Sequence, residues 1–95
     1  MTSSSHSSGL KTNSTLINTG KGRLNAILMT GDGTNAGTLT IYDNTTGAGT
    51  VIAQVAVFAS RPTAYISFPS PVSANTGLYA SLSGTGASYV IHYGG

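Results

Sequence analysis

The chain has 95 residues, a length that predicts one domain with a modest core. It has no cysteine and only two histidines, which excludes disulfide bonds and a zinc site built from Cys and His. Only 6% of its residues are charged, against about 25% in an average soluble domain, so we expect no nucleic-acid partner. No run of about 18 apolar residues is present, and we expect no membrane partner.

The beginning of the chain is polar and rich in serine. Residues 1–13 have a composition that does not bury enough apolar surface to fold alone, and they lack the apolar stretch of a secretory signal. Two interpretations stay open, a disordered tail or an arm that becomes ordered on a neighbouring protein. We divide the chain into an extended or disordered N-terminal arm, residues 1–20, and a β-sandwich domain, residues 21–95.

From residue 14 onward, short alternating runs are separated by turn sequences, which predicts strands. In chain order they are Ser14–Asn18, Arg23–Thr30, Thr38–Asp43, Thr50–Ala59, Pro62–Phe68, Val72–Ala74, Leu78–Leu82 and Ser88–Tyr93. Pro69 and Pro71 are expected to end the fifth strand, because proline cannot donate a backbone hydrogen bond to a neighbour. About 7–8 strands in so short a chain predict an all-β fold, a compact antiparallel β-sandwich or jelly roll.

The run Thr50–Ala59 is apolar on both faces. Strict alternation places Val51 and Val55 on one face, and Ile52 and Phe58 on the other. A strand of this kind is expected to be covered on both sides, which makes it the best candidate for a subunit interface. The predicted interface residues are Val51, Ile52, Val55, Val57 and Phe58, with Leu16 and Ile17 from the N-terminal arm.

Three titratable side chains outside the N-terminal tail are candidates for acid–base chemistry. Asp32 and Asp43 lie in predicted turns, where an aspartate caps its own backbone, and His92 lies alone on a strand. The sequence has no G-x-S-x-G elbow, no Walker loop and no carboxylate cluster for calcium. A small hydrolase built on His92 is a minor alternative. We predict a protein that is not an enzyme, with no catalytic, cofactor or metal site.

Three of the five tyrosines support a different function. Aromatic rings on an outer sheet face either pack across strands or contact a ligand or partner. We therefore take Tyr42, Tyr65 and Tyr79 as candidate ligand-stacking residues. In this alternative the chain is a tail, fibre or adhesin module that binds a surface carbohydrate.

Several segments carry a resemblance to a known group of proteins. They are Gly22–Ile27, Gly37–Asp43 (GTLTIYD), Asn44–Ile52, Asn75–Leu82 and Gly84–Tyr93. In this order, over residues 22–93, the chain resembles small β-sandwich virion proteins of bacteriophages, of the capsid cement or decoration type. The resemblance implies a homotrimer that binds the major capsid protein and stabilises the shell. It also implies a location on the outer capsid surface after synthesis in the host cytoplasm, and it supplies no catalytic residues.

Overall fold

The structure is a computed structural model of the chain, and it describes residues 6–94. These residues form eight strands: β1 (His6–Ser7), β2 (Thr15–Thr19), β3 (Gly22–Thr30), β4 (Gly37–Asp43), β5 (Thr50–Val57), β6 (Thr63–Ala74), β7 (Gly77–Gly84) and β8 (Ser88–Gly94). Within the same residues there is no helix of the length and apolarity that a bilayer crossing requires.

The strands form two antiparallel four-stranded sheets. Sheet I has the order β1-β8-β3-β6, and sheet II has the order β2-β7-β4-β5. The first strand pairs with the last, the second with the seventh, the third with the sixth and the fourth with the fifth. This nested pairing, split over two sheets, is that of a jelly roll. The predicted all-β antiparallel sandwich is confirmed.

The core lies between the two sheets, where the central strands turn alternate side chains inward. Leu24, Ile27 and Met29 of β3 are fully buried on the side of sheet I. Leu39 and Ile41 of β4 are fully buried on the side of sheet II. Each such side chain contributes about 1.5–3 kcal/mol relative to an exposed position, which makes these two strands the centre of the stabilising contacts.

One strand differs from the prediction that Pro69 and Pro71 end it. β6 continues through both prolines to its end at Ala74. Its register with β3 jumps from Ser67 to Val72, so the prolines lie in a stretch without paired residues. β6 is also an edge strand, and its free side requires no N–H donor. The two strands predicted on either side of the prolines are therefore one strand.

Residues 6–19, which we assigned to the N-terminal arm, belong to the sandwich. β1 pairs with β8, and β2 pairs with β7. In the segment that links β1 to β2, Lys11 exchanges backbone hydrogen bonds of 2.8 and 2.9 Å with Tyr89 of β8. The Tyr89 hydroxyl donates to the carbonyl oxygen of Asn13 at 2.7 Å. Residues 1–5, which we also assigned to the arm, lie outside the described residues.

Candidate functional site

The two carboxylate side chains, Asp32 and Asp43, each accept hydrogen bonds from the backbone N–H groups of a turn. Asp32 Oδ1 accepts hydrogen bonds of 2.8 Å from the backbone N–H groups of Thr34 and Asn35, and Oδ2 accepts one of 2.9 Å from the Asn35 amide. The backbone N–H of Asn35, followed by that of Thr34, holds the pKa of Asp32 below its usual value. The prediction that Asp32 caps its own turn is confirmed.

Asp43 caps a distant turn and not its own. Its Oδ1 accepts hydrogen bonds from the backbone N–H groups of Asn75, Thr76 and Gly77 at 3.0, 2.8 and 3.4 Å. The N–H of Thr76, followed by that of Asn75, lowers the pKa of the Asp43 carboxyl. Asp43 therefore ties the end of β4 to the turn between β6 and β7, and its predicted role is wrong in that respect.

His92 lies on the outer side of sheet I. It is exposed, and its register partners are Ser7 of β1 and Ala26 of β3. The prediction of a polar surface histidine is confirmed. Among residues 6–94, no three His, Asp or Glu side chains come together as possible metal ligands.

The outer face of sheet II carries a row of four apolar or aromatic side chains, one from each strand. Leu16 lies opposite Tyr79, Tyr79 opposite Tyr42, and Tyr42 opposite Val51. Leu16 and Val51, at the two ends, are 41% and 51% exposed, and the two tyrosines are half-buried. We call these four residues the tyrosine row. It spans the whole width of the sheet.

Two β-bulges create the tyrosine row. In β2 the register shift leaves Ile17 unpaired, and in β5 it leaves Ile52 unpaired. Both isoleucines pack against the core. Because an extra residue reverses the alternation of side chains, the residue before each bulge, Leu16 or Val51, points outward. The predicted placement of Val51 on one face with Val55 is wrong for this reason.

The rest of this face is polar but neutral. Beside the tyrosine row, Thr40 lies opposite both Ser81 and Gln54, and the Gln54 Nε2 donates to Thr40 Oγ1 at 3.0 Å. The four strands of sheet II contain a single charged residue, Asp43, whose carboxylate is bonded to the turn described above. The outer face of sheet II therefore presents hydroxyl, amide and apolar groups without formal charge.

The loop between β4 and β5 covers part of the tyrosine row. Gly47 lies against Tyr79, since a Cβ atom at this glycine would come within 3.3 Å of the ring atom Cε1. Asn44 holds the loop, accepting a 2.7 Å hydrogen bond from the Thr45 N–H and donating a 2.8 Å bond to the Ala48 carbonyl oxygen. The contact accounts for the partial burial of Tyr79 and leaves the Leu16 and Val51 ends open.

A second surface is a cleft of about 320 Å³ at the corner where β5 leads into β6. Its lining residues are Ala56, Phe58, Arg61, Thr63, Ala64 and Tyr65. Phe58 and Arg61 exchange two backbone hydrogen bonds of 3.0 Å, which close the turn. The rings of Phe58 and Tyr65 are 52% and 62% exposed. We call this the corner cleft, and it combines two aromatic rings with a guanidinium.

The predicted interface residues divide into two groups. Four face the interior and are not available to a partner: Ile17, Ile52, Val55 and Val57. The bulge at Ile52 turns this residue to the same side as Val55 and Val57, contrary to the predicted alternation. The opposite sheet covers this side, so no other subunit is needed to bury these residues. Three are exposed: Leu16 and Val51 in the tyrosine row and Phe58 in the corner cleft.

The predicted ligand-stacking tyrosines also divide. Tyr42 and Tyr79 are neighbours in the tyrosine row, whereas Tyr65 lies on sheet I in the corner cleft. Sequence reasoning missed Arg61, although a lone cation in a tight turn between two apolar strands was a usable signal. No protein-family model, curated protein or solved structure matches the chain.

Proposed function

We propose that the chain is a non-enzymatic bacteriophage capsid cement or decoration protein, which binds and stabilises the shell of major capsid protein as a homotrimer. One observation carries the proposal: the outer face of sheet II is uncharged and is crossed by the tyrosine row. The buried centres of protein interfaces are depleted in charge and enriched in tyrosine. The resemblance of residues 22–93 to virion proteins supports the phage assignment.

The physical task of a cement protein is selective binding. It stabilises a shell by binding the assembled form more tightly than the free subunits, so that mass action favours assembly. A broad neutral face suits this task because burying it requires no desolvation of an ion. Leu16 and Val51, the exposed ends of the tyrosine row, are the side chains with the most surface to gain from such burial.

The test is binding to purified expanded shells of the phage that encodes the chain. We expect Val51→Lys, which places a charge in the tyrosine row, to weaken binding by about 10-fold or more, since an unpaired charge must be desolvated. Leu10→Lys is the matched control, because Leu10 is an exposed apolar residue outside the strands of sheet II. Light scattering of the purified chain is expected to give the mass of a trimer. Wild-type chain that neither binds shells nor forms a trimer would contradict the proposal.

A second candidate function is carbohydrate binding by a tail, fibre or adhesin module. Tyr42 and Tyr79 are register partners on the outer face, and with Thr40, Ser81 and Gln54 beside them they combine aromatic side chains with neutral hydrogen-bonding groups. A glycan-array screen would support this function if it gave hits that Tyr42→Ala abolishes. A screen without hits would count against it.

A further inference from the structure

The described sandwich has four edge strands, and three of them are protected. An edge strand exposes unpaired backbone groups and pairs with other chains unless it is short, bulged, charged or interrupted by proline. The described part of β1 has two residues, β2 has only five residues with a bulge in their middle at Ile17, and β6 contains Pro69 and Pro71 in an unpaired stretch. β5 has eight residues with no charge and no proline. After its bulge at Ile52, residues 53–57 pair regularly with β4, and no described strand pairs with their other side.

The apolar core next to the edge of β5 is partly exposed to solvent. Ile66 of β6 is in register with Ile27, which is fully buried, so Ile66 points toward the interior. It is nevertheless 39% exposed. β5 and β6 are the edge strands on this side of the sandwich, and they contact each other. An apolar strand added along β5 would lie beside the gap and reduce this exposure.

The C-terminal end of β5 leads into the corner cleft, which contains the positively charged Arg61. Arg61 lies there with the exposed rings of Phe58 and Tyr65. The chain has two carboxylate side chains, Asp32 and Asp43, and both accept hydrogen bonds in other turns. Neither aspartate therefore neutralises the guanidinium of Arg61.

We propose that β5 and the corner cleft bind an extended segment of another protein, which adds to sheet II as a fifth strand. The segment places an apolar side chain between Phe58 and Tyr65 and a carboxylate at Arg61. In strand addition, main-chain hydrogen bonds provide affinity and flanking pockets provide specificity. The inference rests on the proposed function and specifies the chemistry of the partner segment. The β5 strand of a second copy fits less well, because it has no acidic residue to meet Arg61.

The direct test uses two short peptides matched in length to β5. Both alternate valine and threonine with blocked termini, and they differ only in an aspartate or a lysine at the end that meets Arg61 in antiparallel register. We expect the peptides to shift the amide NMR signals of residues 53–57, with about 10-fold tighter binding of the aspartate peptide. Arg61→Glu should reverse this preference. Lys21→Glu, the same charge change on an exposed residue of another turn, should leave it unchanged.

Three results would overturn the inference. One is the absence of any shift at residues 53–57 with either peptide. Another is equal affinity for both peptides, which would remove the role of Arg61. The third is a wild-type dimer whose contact maps to β5, which would make a second copy the occupant.

Shell binding separates this inference from the proposed function. If wild-type chain binds shells and both Arg61→Glu and Phe58→Ala bind equally well, strand addition fails while the capsid function stands. If both variants bind at least about 10-fold more weakly and Lys21→Glu does not, the inference is supported. If wild-type chain does not bind shells, the capsid function fails and the peptide titration decides the inference.

Discussion

Tyr89 fastens the N-terminal segment to the core, and Tyr89→Phe tests this link. The side chain is 1% exposed, and its hydroxyl donates to the Asn13 carbonyl oxygen at 2.7 Å. Phenylalanine keeps the packed ring and the backbone pairing with Lys11, and it removes the hydroxyl, which donates to Asn13 and also interacts with the Thr15 side chain. The loss of one such hydrogen bond costs about 0.5–1.5 kcal/mol of the free energy of unfolding. In a domain of this size, each kcal/mol lowers Tm by about 4–8 °C.

Denaturant unfolding and calorimetry at neutral pH measure the loss of stability, and amide hydrogen exchange at Lys11 measures the docking of the segment. We expect a lower Tm and faster exchange at Lys11, because the loosened segment opens more often. Tyr65→Phe is the control, since it removes a hydroxyl from an exposed ring and should change stability by less than about 0.5 kcal/mol. A Tyr89→Phe variant with wild-type Tm and wild-type exchange at Lys11 would refute the role of the hydroxyl.

Three further outcomes follow from the structure. Burial raises the pKa of Tyr89, so the stability that its neutral form contributes is present below pH 10.0 and lost as the pH rises further. Alkaline unfolding should therefore lose part of its pH dependence in Tyr89→Phe. The backbone N–H of Thr76 and its neighbours lower the pKa of Asp43, so its contribution is present above pH 3.8 and lost as the pH falls below that value. Asp43→Asn should lower Tm at neutral pH and flatten the loss of stability in acid, as calorimetry across pH would show. Gly84→Ala should destabilise far more than Gly33→Ala in denaturant unfolding. Both glycines have positive φ, but only at Gly84 would a Cβ atom clash, 2.5 Å from the Ala36 carbonyl oxygen.

Sequence periodicity located β2 to β5, β7 and β8 because each alternating run buries one face against the opposite sheet, whereas it missed β1 and divided β6 at its prolines. It could not locate the bulges at Ile17 and Ile52, since a bulge depends on which residues of the neighbouring strand are paired. One extra residue moved Leu16 and Val51 to the outer face, where they join two tyrosines from other strands. The composition of this surface was therefore predictable, and its arrangement was not.

Contacts between distant parts of the chain could not be predicted from the sequence either, because they also depend on which segments the fold brings together. The Asp43 carboxylate bonds to residues 75–77, and the sequence around Asp43 has the form of an ordinary turn. The pairing of Lys11 with Tyr89 likewise gives order to a serine-rich segment whose composition alone predicts a tail or an arm. In both cases the backbone groups of one segment complete the hydrogen bonds of another, which local propensity does not encode.

The nested pairing of the jelly roll determines which surfaces a partner can reach. β1 and β2 form the edges on one side, and β5 and β6 form the edges on the other. Val51 belongs both to the tyrosine row and to β5, so a strand added at β5 would extend the same neutral face. Substitution of Val51 should then weaken face contact and strand addition together, whereas Arg61→Glu should affect strand addition alone. A partner whose binding depends on Val51 but not on Arg61 contacts the face of sheet II and leaves the edge of β5 open.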